Sequence, residues 1–335
     1  MRVRSKVASG RGAVARAALV LALATCASGA PRADEGGVSV WLPGTFAALA
    51  AAPPAPGFYV IAEPYVYAGT SSGSKSFPRG GYLAAQVDAQ VAVMIATVGY
   101  APESPVLGGQ LLAGVAYAGG FASAEALGAV PIGSLVAPKD ISSSITSGSD
   151  LYPIALNYWN SGYHNWMAYI LGDIAIGPYD PQRLVNIGSG HYAVDVGAGY
   201  TYLNTTTGLQ LSGVVGFTFN FENNHTSYTN GIDSHLDWSV AQFLSDVFYV
   251  GPAGYVYWQL TADTYPTAGI EGAARSAILG TFQSGVASLG GEAGAVIKVG
   301  SMQGLLSVRG YWEFWAQNRL KGYSIFTVLN IPVFK

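Results

Sequence analysis

Residues 191–222 alternate between apolar and polar side chains on either side of a turn at 204–208, with Val214 as the one exception. Alternation with a period of two predicts a β-hairpin, because successive side chains of a strand point to opposite faces. Tyr192 and Tyr202 mark the ends of the apolar face, and a strand of that length tilted by about 45° rises by about 25 Å. That height matches the apolar band of an outer-membrane barrel. The other face is small, polar and rich in glycine, which favours a wet lumen over the packed core of a soluble sheet.

The composition also favours a wall that faces lipid. Only 10% of the 335 residues are charged, whereas soluble domains average about 25%. A bundle of membrane helices would need runs of about 18 or more apolar residues. Residues 106–124 form an uncharged stretch of that length, but it contains Gln110 and five glycines and is flanked by alternating segments. We therefore predict a strand there.

The first 33 residues have the features of an export signal. Basic residues precede an apolar run at 17–27, and small residues follow, so cleavage is expected after Ala30 or Ala33. The only cysteine, Cys26, would be removed with this segment, which excludes thiol chemistry in the mature chain. Cleavage after Ala33 leaves ten basic and 19 acidic residues, and this acidic balance argues against nucleic acid as a partner.

Twelve segments alternate in this way, an even number as in single-chain outer-membrane barrels. They lie at 58–68, 82–98, 106–118, 151–159, 163–176, 191–202, 209–222, 232–243, 248–262, 283–298, 304–316 and 322–331. Short and longer connections mostly alternate between them, as periplasmic turns and outside loops do, and the longer ones include polar loops at 69–81 and 119–150. The prediction is an all-β fold, a closed antiparallel barrel over residues 57–335. The proline-rich lead-in at 34–56 would lie across the periplasmic mouth or simply lead into the first strand.

Short motifs follow one another along the chain: GVSVWLPG at 37–44, GDIAIGPYDP at 172–181, GIDSHLDW at 231–238 and GYWEF at 310–314. In this order they resemble the meta-pathway phenol-degradation family of outer-membrane proteins, over most of the mature chain. The resemblance implies a barrel in the outer membrane of a Gram-negative bacterium that passes small compounds, often aromatic or apolar. The chain departs from most outer-membrane barrels in ending on Lys335, one position after an aromatic residue.

The sequence contains no metal-ligand motif, no phosphate-binding glycine loop and no motif that carries a catalytic nucleophile. We therefore predict no metal, no cofactor and no catalytic residue. A serine–histidine hydrolase built on the lipid-facing wall is an alternative class. His191 and His235 instead share the lumenal face of their predicted strands, which favours a hydrogen-bond network. A barrel that acts as a lipid-modifying enzyme or a structural envelope component therefore remains the alternative to a channel.

Eleven side chains are predicted to face the lumen along the path of a solute. They are His191, Asp195, Asn220, Glu222, Asp233, His235, Asp237, Tyr255, Tyr257, Arg309 and Glu313. The first seven would meet near the outer mouth, either as a hydrogen-bonded rim or as a filter that repels anions. The two tyrosines would narrow the pore or stack on an aromatic solute. Arg309 and Glu313 would form a bracing ion pair or place charge in the path. The expected function is passive passage of small, weakly polar organic solutes, with outer-membrane lipid as the surroundings.

Overall fold

The computed structural model describes residues 39–79, 82–131, 139–264, 283–300 and 302–334, and the predicted signal segment lies outside them. Twelve strands pair antiparallel in chain order, and the last pairs with the first, which closes the barrel. The strands are β1 (Gly57–Arg79), β2 (Tyr82–Ala101), β3 (Gln110–Pro131), β4 (Lys139–Ser161), β5 (His164–Asp173), β6 (Ala193–Leu203), β7 (Leu209–Asn220), β8 (Asp233–Phe243), β9 (Phe248–Gln259), β10 (Gly285–Val299), β11 (Met302–Gln317) and β12 (Lys321–Phe334). This confirms the predicted fold class and strand number. Within the described residues, no helix is both long and apolar enough to span a membrane.

The hairpin that organises the sequence is β6–β7. Asp195 pairs with Thr218 and both side chains are buried, whereas Val215 and Phe217 are exposed on the outside of the wall. The two backbone N–H groups after Thr205 donate to the side-chain oxygen of Asn204, which closes the turn between the strands. The predicted register of the hairpin is therefore confirmed.

The barrel has two different ends. We call the end that carries Gly57 and Phe334 the base, and the opposite end the rim. Aromatic side chains face outward at both levels, including Phe58 and Tyr100 near the base and Trp312 and Tyr323 near the rim. Such belts mark the two membrane interfaces of outer-membrane barrels.

The first four strands extend further toward the rim than the other eight. β1 continues to Arg79, β3 continues to Pro131 and β4 begins at Lys139, so the loops predicted at 69–81 and 119–150 are wrong over most of their length. The extension alternates small inward side chains, such as Ala122 and Ala124, with outward ones. Its described outward face is mostly polar and includes Asp88, Glu125 and Ser142. Outward side chains beyond the lipid band contact water, so apolar residues there would not stabilise the barrel. The alternation of apolar and polar residues that predicts membrane strands is therefore missing in this part of the wall.

Residues 39–56 lie inside the barrel, and we call them the plug. Ser39 contacts Arg319 in the β11–β12 turn at the rim, whereas Ala51 contacts Thr201 near the base. Trp41 is only 2% exposed, and Ala51 is fully buried. The segment therefore runs through the lumen from rim to base before β1 begins, whereas the sequence suggested a segment across the mouth or a simple lead-in to β1.

Candidate functional site

Carboxylates of the wall hold the backbone of the plug. The two carboxylate oxygens of Asp237 accept the N–H groups of Gly44, at 2.9 Å, and Phe46, at 3.1 Å. One oxygen of Glu292 accepts the N–H of Ala48 at 2.8 Å. Hydrogen bonds to a charged acceptor are stronger than those between neutral groups. Three backbone donors of the plug are thus satisfied by two acidic side chains on β8 and β10.

At Gly44 the plug passes close to the wall. Its φ of +87° lies in the left-handed region, and an added Cβ would lie 2.7 Å from the ring of Tyr311. The hydroxyl of Tyr311 donates to the carbonyl oxygen of Gly44 at 3.3 Å. A side chain at this position would both strain the turn and collide with the wall, so glycine is required here.

Trp41 covers a buried pair of titratable groups. Its ring stacks on the imidazole of His235, with ring centroids 3.9 Å apart and planes 9° apart. The Nε2 atom of His235 lies 3.2 Å from Asp195 Oδ2, and the hydroxyl of Tyr169 donates to Asp195 Oδ1 at 2.6 Å. Thr218 donates to the other oxygen of Asp195. The plug therefore packs its largest aromatic ring on a buried polar network in the wall, in which the Nδ1 atom of His235 has no hydrogen-bond partner among the described residues.

The residues predicted at the outer mouth take part in several hydrogen-bonded contacts. Asn220 donates to Asp233 Oδ2 at 2.9 Å, and Asp195 and His235 are joined as described above. Asn230 lies 3.2 Å from the Nε2 atom of His191, and Asp237 binds the plug. Glu222 differs from the prediction, because β7 ends at Asn220 and Glu222 is exposed in the loop that follows.

The ion pair between Arg309 and Glu313 is one of two alternatives predicted for these residues, and the structure contradicts it, because Arg309 pairs with a different acid. The Nη2 atom of Arg309 lies 3.6 Å from Glu63 Oε1 on β1. Four residues of a strand span about 13 Å, so Glu313 is too distant from Arg309 on the same strand. Glu63 is closer, because β1 is separated from β11 only by β12 and the Glu63 side chain also faces the lumen. Glu313 instead accepts the hydroxyls of Tyr67, at 3.0 Å, and Tyr255, at 2.8 Å.

Tyrosine hydroxyls donate to the inward carboxylates at three levels of the lumen. Tyr169 binds Asp195, Tyr249 binds Glu292 at 3.0 Å, and Tyr67 and Tyr255 bind Glu313. Tyr257 is fully buried, and the guanidinium of Arg319 lies 4.3 Å from the centre of its ring. Sequence reasoning missed Glu63, Glu292, Tyr67 and Tyr169, because their partners lie on other strands, one or two positions around the barrel.

A loop covers the inside of the extended wall at the rim. Leu184 and Val185, in the β5–β6 connection, are buried against Val87 and the inward alanines of β3. The carboxylate of Asp150 fastens this loop by accepting the N–H groups of Gly177 and Ser189, at 2.7 and 2.6 Å. The loop and the plug together fill the lumen at several levels.

Metal-ligating side chains do not converge in the part of the chain that the structure describes, where no group of three or more His, Cys, Asp or Glu could hold a metal ion. The absence of a cofactor remains a prediction from the sequence.

Comparisons with known proteins agree with this architecture. The sequence matches the family model described as MetA-pathway of phenol degradation over residues 72–328. The structure is similar to that of the COG4313 outer membrane channel from Pseudomonas putida F1, with a TM-score of 0.62 and 10% identity, over 83% of this chain and 96% of that one. The transport unit of the autotransporter AIDA-I from Escherichia coli aligns with a TM-score of 0.39 and 11% identity, over 83% and 90% of the two chains. No curated protein matches the sequence.

Proposed function

The chain belongs to the MetA-pathway of phenol degradation family, and from this premise we propose that it is an outer-membrane channel for passive uptake of small, weakly polar organic compounds. Phenol-like aromatics are the compounds that the family description suggests. The similarity to a solved outer-membrane channel supports the barrel fold of such a protein.

The observation that carries the proposal is the way in which the plug is held. Its backbone is bound by side chains such as Asp237, Glu292 and Thr201. In the described ranges, no backbone hydrogen bond joins residues 39–56 to a strand. The segment can therefore leave the lumen without breaking the sheet, and a barrel of twelve strands is wider than the eight-strand barrels that side chains fill. The wall would remain closed while the path through it opens.

The charges inside the barrel favour neutral solutes over anions. Inward-facing carboxylates occur on at least five strands, and they include Glu63, Asp195, Asp233, Asp237, Glu292 and Glu313. Arg309 is a cation buried among them. A dissolved anion would meet like charges in a confined space of low dielectric, where repulsion is strong. A neutral hydroxy compound can instead donate to these carboxylates, as the tyrosine hydroxyls of the wall do.

Uptake by whole cells tests the proposal. A strain that lacks the gene should consume phenol from dilute solution more slowly than the parent strain, and the plasmid-borne gene should restore the rate. Benzoate, which has a similar ring but carries a charge, should show a much smaller difference. The proposal fails if phenol consumption is the same with and without the gene and the purified protein gives no conductance in planar bilayers.

The anchoring of the plug gives a second prediction. Replacing Asp237 by Asn removes the charge and leaves one side-chain oxygen to accept two N–H groups, so the plug loses a charge-assisted hydrogen bond worth roughly 1–3 kcal/mol. We expect openings of single channels to become about tenfold more frequent, because each 1.4 kcal/mol changes an equilibrium tenfold. Asp246→Asn is the matched control, since Asp246 is exposed in the β8–β9 turn. Equal opening frequencies in the two variants would contradict the anchoring role.

His164 and His235 give the alternative of a lipid-modifying enzyme no support. His164 faces outward, where its Nδ1 atom lies 2.7 Å from the hydroxyl of Tyr200. His235 is buried beside Asp195 under Trp41. A serine nucleophile needs a histidine within hydrogen-bond distance on the lipid-facing surface. Neither of these two imidazoles has a serine hydroxyl among its described partners.

A further inference from the structure

One side chain of the plug occupies an aromatic site on the inner wall of the barrel. The ring of Trp41 stacks on His235 with a centroid distance of 3.9 Å, and it stacks on Tyr169 at 5.7 Å with the planes 27° apart. Phe46, also in the plug, lies against the same ring at 5.5 Å. Trp41 is thus enclosed by three flat side chains, two of which belong to the wall. Aromatic rings in such arrangements attract one another beyond the effect of the area that they bury.

The ring of Trp41 is held in this site by packing alone. In the described part of the chain, the buried indole N–H of Trp41 has no hydrogen-bond partner. A buried donor without a partner is unfavourable by the free energy of its lost hydration. A free aromatic molecule of similar size can therefore make the same contacts as this side chain, since Trp41 has no polar contact in the site that a free ring would lack.

The wall also presents a polar atom that Trp41 does not use. The Nε2 atom of His235 lies 3.2 Å from the carboxylate of Asp195 and 3.0 Å from the hydroxyl oxygen of Tyr169, so the hydrogen of the neutral imidazole belongs on Nε2. The Nδ1 atom is then an acceptor, and it has no partner among the residues that the structure describes. A solute with a hydroxyl or N–H group on its ring brings the donor that this atom lacks.

The site lies in the rim half of the lumen, close to the hydrogen bonds that fasten the plug. His235 is the third residue of β8 from its rim end, and Asp195 is the third residue of β6 from the same end. Asp237, two residues further along β8, accepts the N–H groups of Gly44 and Phe46. The aromatic contact and the polar anchor of the plug therefore share one strand, and a molecule that takes the place of Trp41 acts directly beside the anchor.

We propose that His235 and Tyr169 form a binding site for small, neutral aromatic solutes with a hydroxyl or N–H donor, and that Trp41 occupies this site as an intramolecular competitor. The inference rests on the proposed function and adds the place at which the solute is recognised. The site is covered while the plug is seated, so a solute binds only the state in which the plug is displaced. A ligand that binds one of two states shifts the equilibrium toward that state. Aromatic solutes thus raise the fraction of open channels through which they pass.

Indole is the probe for the first test, because it is the ring of Trp41 as a free molecule. With the purified full-length protein in planar bilayers, indole at about ten times its dissociation constant for the open state should raise the ratio of open to closed channels about tenfold. Trp41→Ala should open more often than the wild type without any ligand. In this variant indole should have the opposite effect and favour closure, since it fills the cavity that the truncation leaves under the seated plug. Enclosed apolar cavities of about 150 Å³ bind small aromatic molecules in this way.

Trp312→Ala is the matched control, because it removes the same ring from the outside of the wall, where Trp312 is 62% exposed. Its response to indole should equal that of the wild type. Cyclohexanol, which is similar in size to phenol but not aromatic, should leave the openings of all three proteins unchanged. Phenol should act like indole on the wild type, whereas toluene, which has no donor, should require about fivefold higher free concentration. If indole does not act in opposite directions on the wild type and Trp41→Ala, the aromatic site is wrong, and uptake of phenol by whole cells still decides the channel function.

Binding is measured separately by calorimetric titration of indole into the detergent-solubilised wild type, Trp41→Ala and the variant that lacks residues 39–52. Both variants should bind indole at least about tenfold more tightly than the wild type, because the competing ring is gone. The variant without the plug serves this test if Trp41→Ala fails to fold. If the wild type gives neither uptake nor conductance, the proposed function fails, and the titration alone judges the site. Equal affinities for indole in the three proteins would overturn it.

Discussion

Deletion of residues 39–52 should convert the channel from a closed resting state to a continuously open one in planar bilayers. The plug occupies the lumen from the rim, at Ser39, to a point near the base, at Ala51, and the wall does not depend on it for backbone pairing. A twelve-strand barrel lies between filled eight-strand barrels and open sixteen-strand porins, so the emptied lumen should pass ions and small solutes. The expected record is a stable open level where the wild type shows brief openings or none.

The matched control for this deletion keeps the plug and removes exposed residues of similar character. Shortening the exposed β6–β7 turn at 205–207 changes the barrel by a few residues without touching the lumen. Both proteins should remain folded, as judged by their resistance to unfolding in SDS at room temperature. Conductance that is equally low in the deletion variant and in the wild type would show that the plug is not the obstruction.

A charge on the lipid-facing wall should destabilise the barrel by about 2–4 kcal/mol if it lies near the middle of the bilayer. Val215 is the position for this prediction, because it is exposed on the outside of β7 and pairs with Ala198 and Leu236 in the middle of those strands. Val215→Arg should lower the free energy of unfolding by that amount in lipid vesicles titrated with guanidinium chloride. Thr206→Arg, in the exposed turn of the same hairpin, should change it by at most about 0.5 kcal/mol.

The structure alters the expectation for inward positions. The sequence predicts that a charge at Thr218 costs much less than one at Val215, since both the lumen and the side chain are polar. Thr218 is in fact fully buried and donates to Asp195, so its replacement breaks a packed network. Equal losses of unfolding free energy in Val215→Arg and Thr206→Arg would show that the wall does not face lipid at Val215.

The hairpin at 191–222 could be predicted because its two faces meet two different solvents. Lipid requires an apolar residue at every second position, and the sequence of a membrane strand therefore alternates between apolar and polar residues. The parts of β1–β4 that extend beyond the other strands at the rim do not face lipid in this interpretation. Their sequence, with several serines and glycines, resembles that of a loop although the backbone is paired. The boundaries of the predicted strands are therefore reliable only where the wall meets the membrane.

The lumenal site was only partly accessible to sequence reasoning. Alternation places Asp195, His235 and Tyr255 on the inward face, and the structure finds all three buried there. It does not reveal partners, which is why the ion pair with Glu313 was only one of two alternatives for Arg309 and why Glu63 on β1 was not considered. The plug shows no regular period, because its residues contact side chains on several strands, namely β6, β8, β10 and β11. Its proline-rich composition indicates only that it is not a regular strand or helix.

In the proposed channel function, the plug also determines what limits the rate of passage. A solute can cross only during the fraction of time in which residues 39–56 are displaced, and the apparent permeability is the permeability of the open barrel multiplied by that fraction. Strengthening or weakening a few hydrogen bonds, such as those from Gly44 and Phe46 to Asp237, changes this fraction without altering the wall. Two proteins with identical barrels could therefore differ many-fold in how leaky they make the cell envelope. The trade-off between nutrient uptake and exclusion of toxic compounds would be adjusted in a segment of fewer than twenty residues.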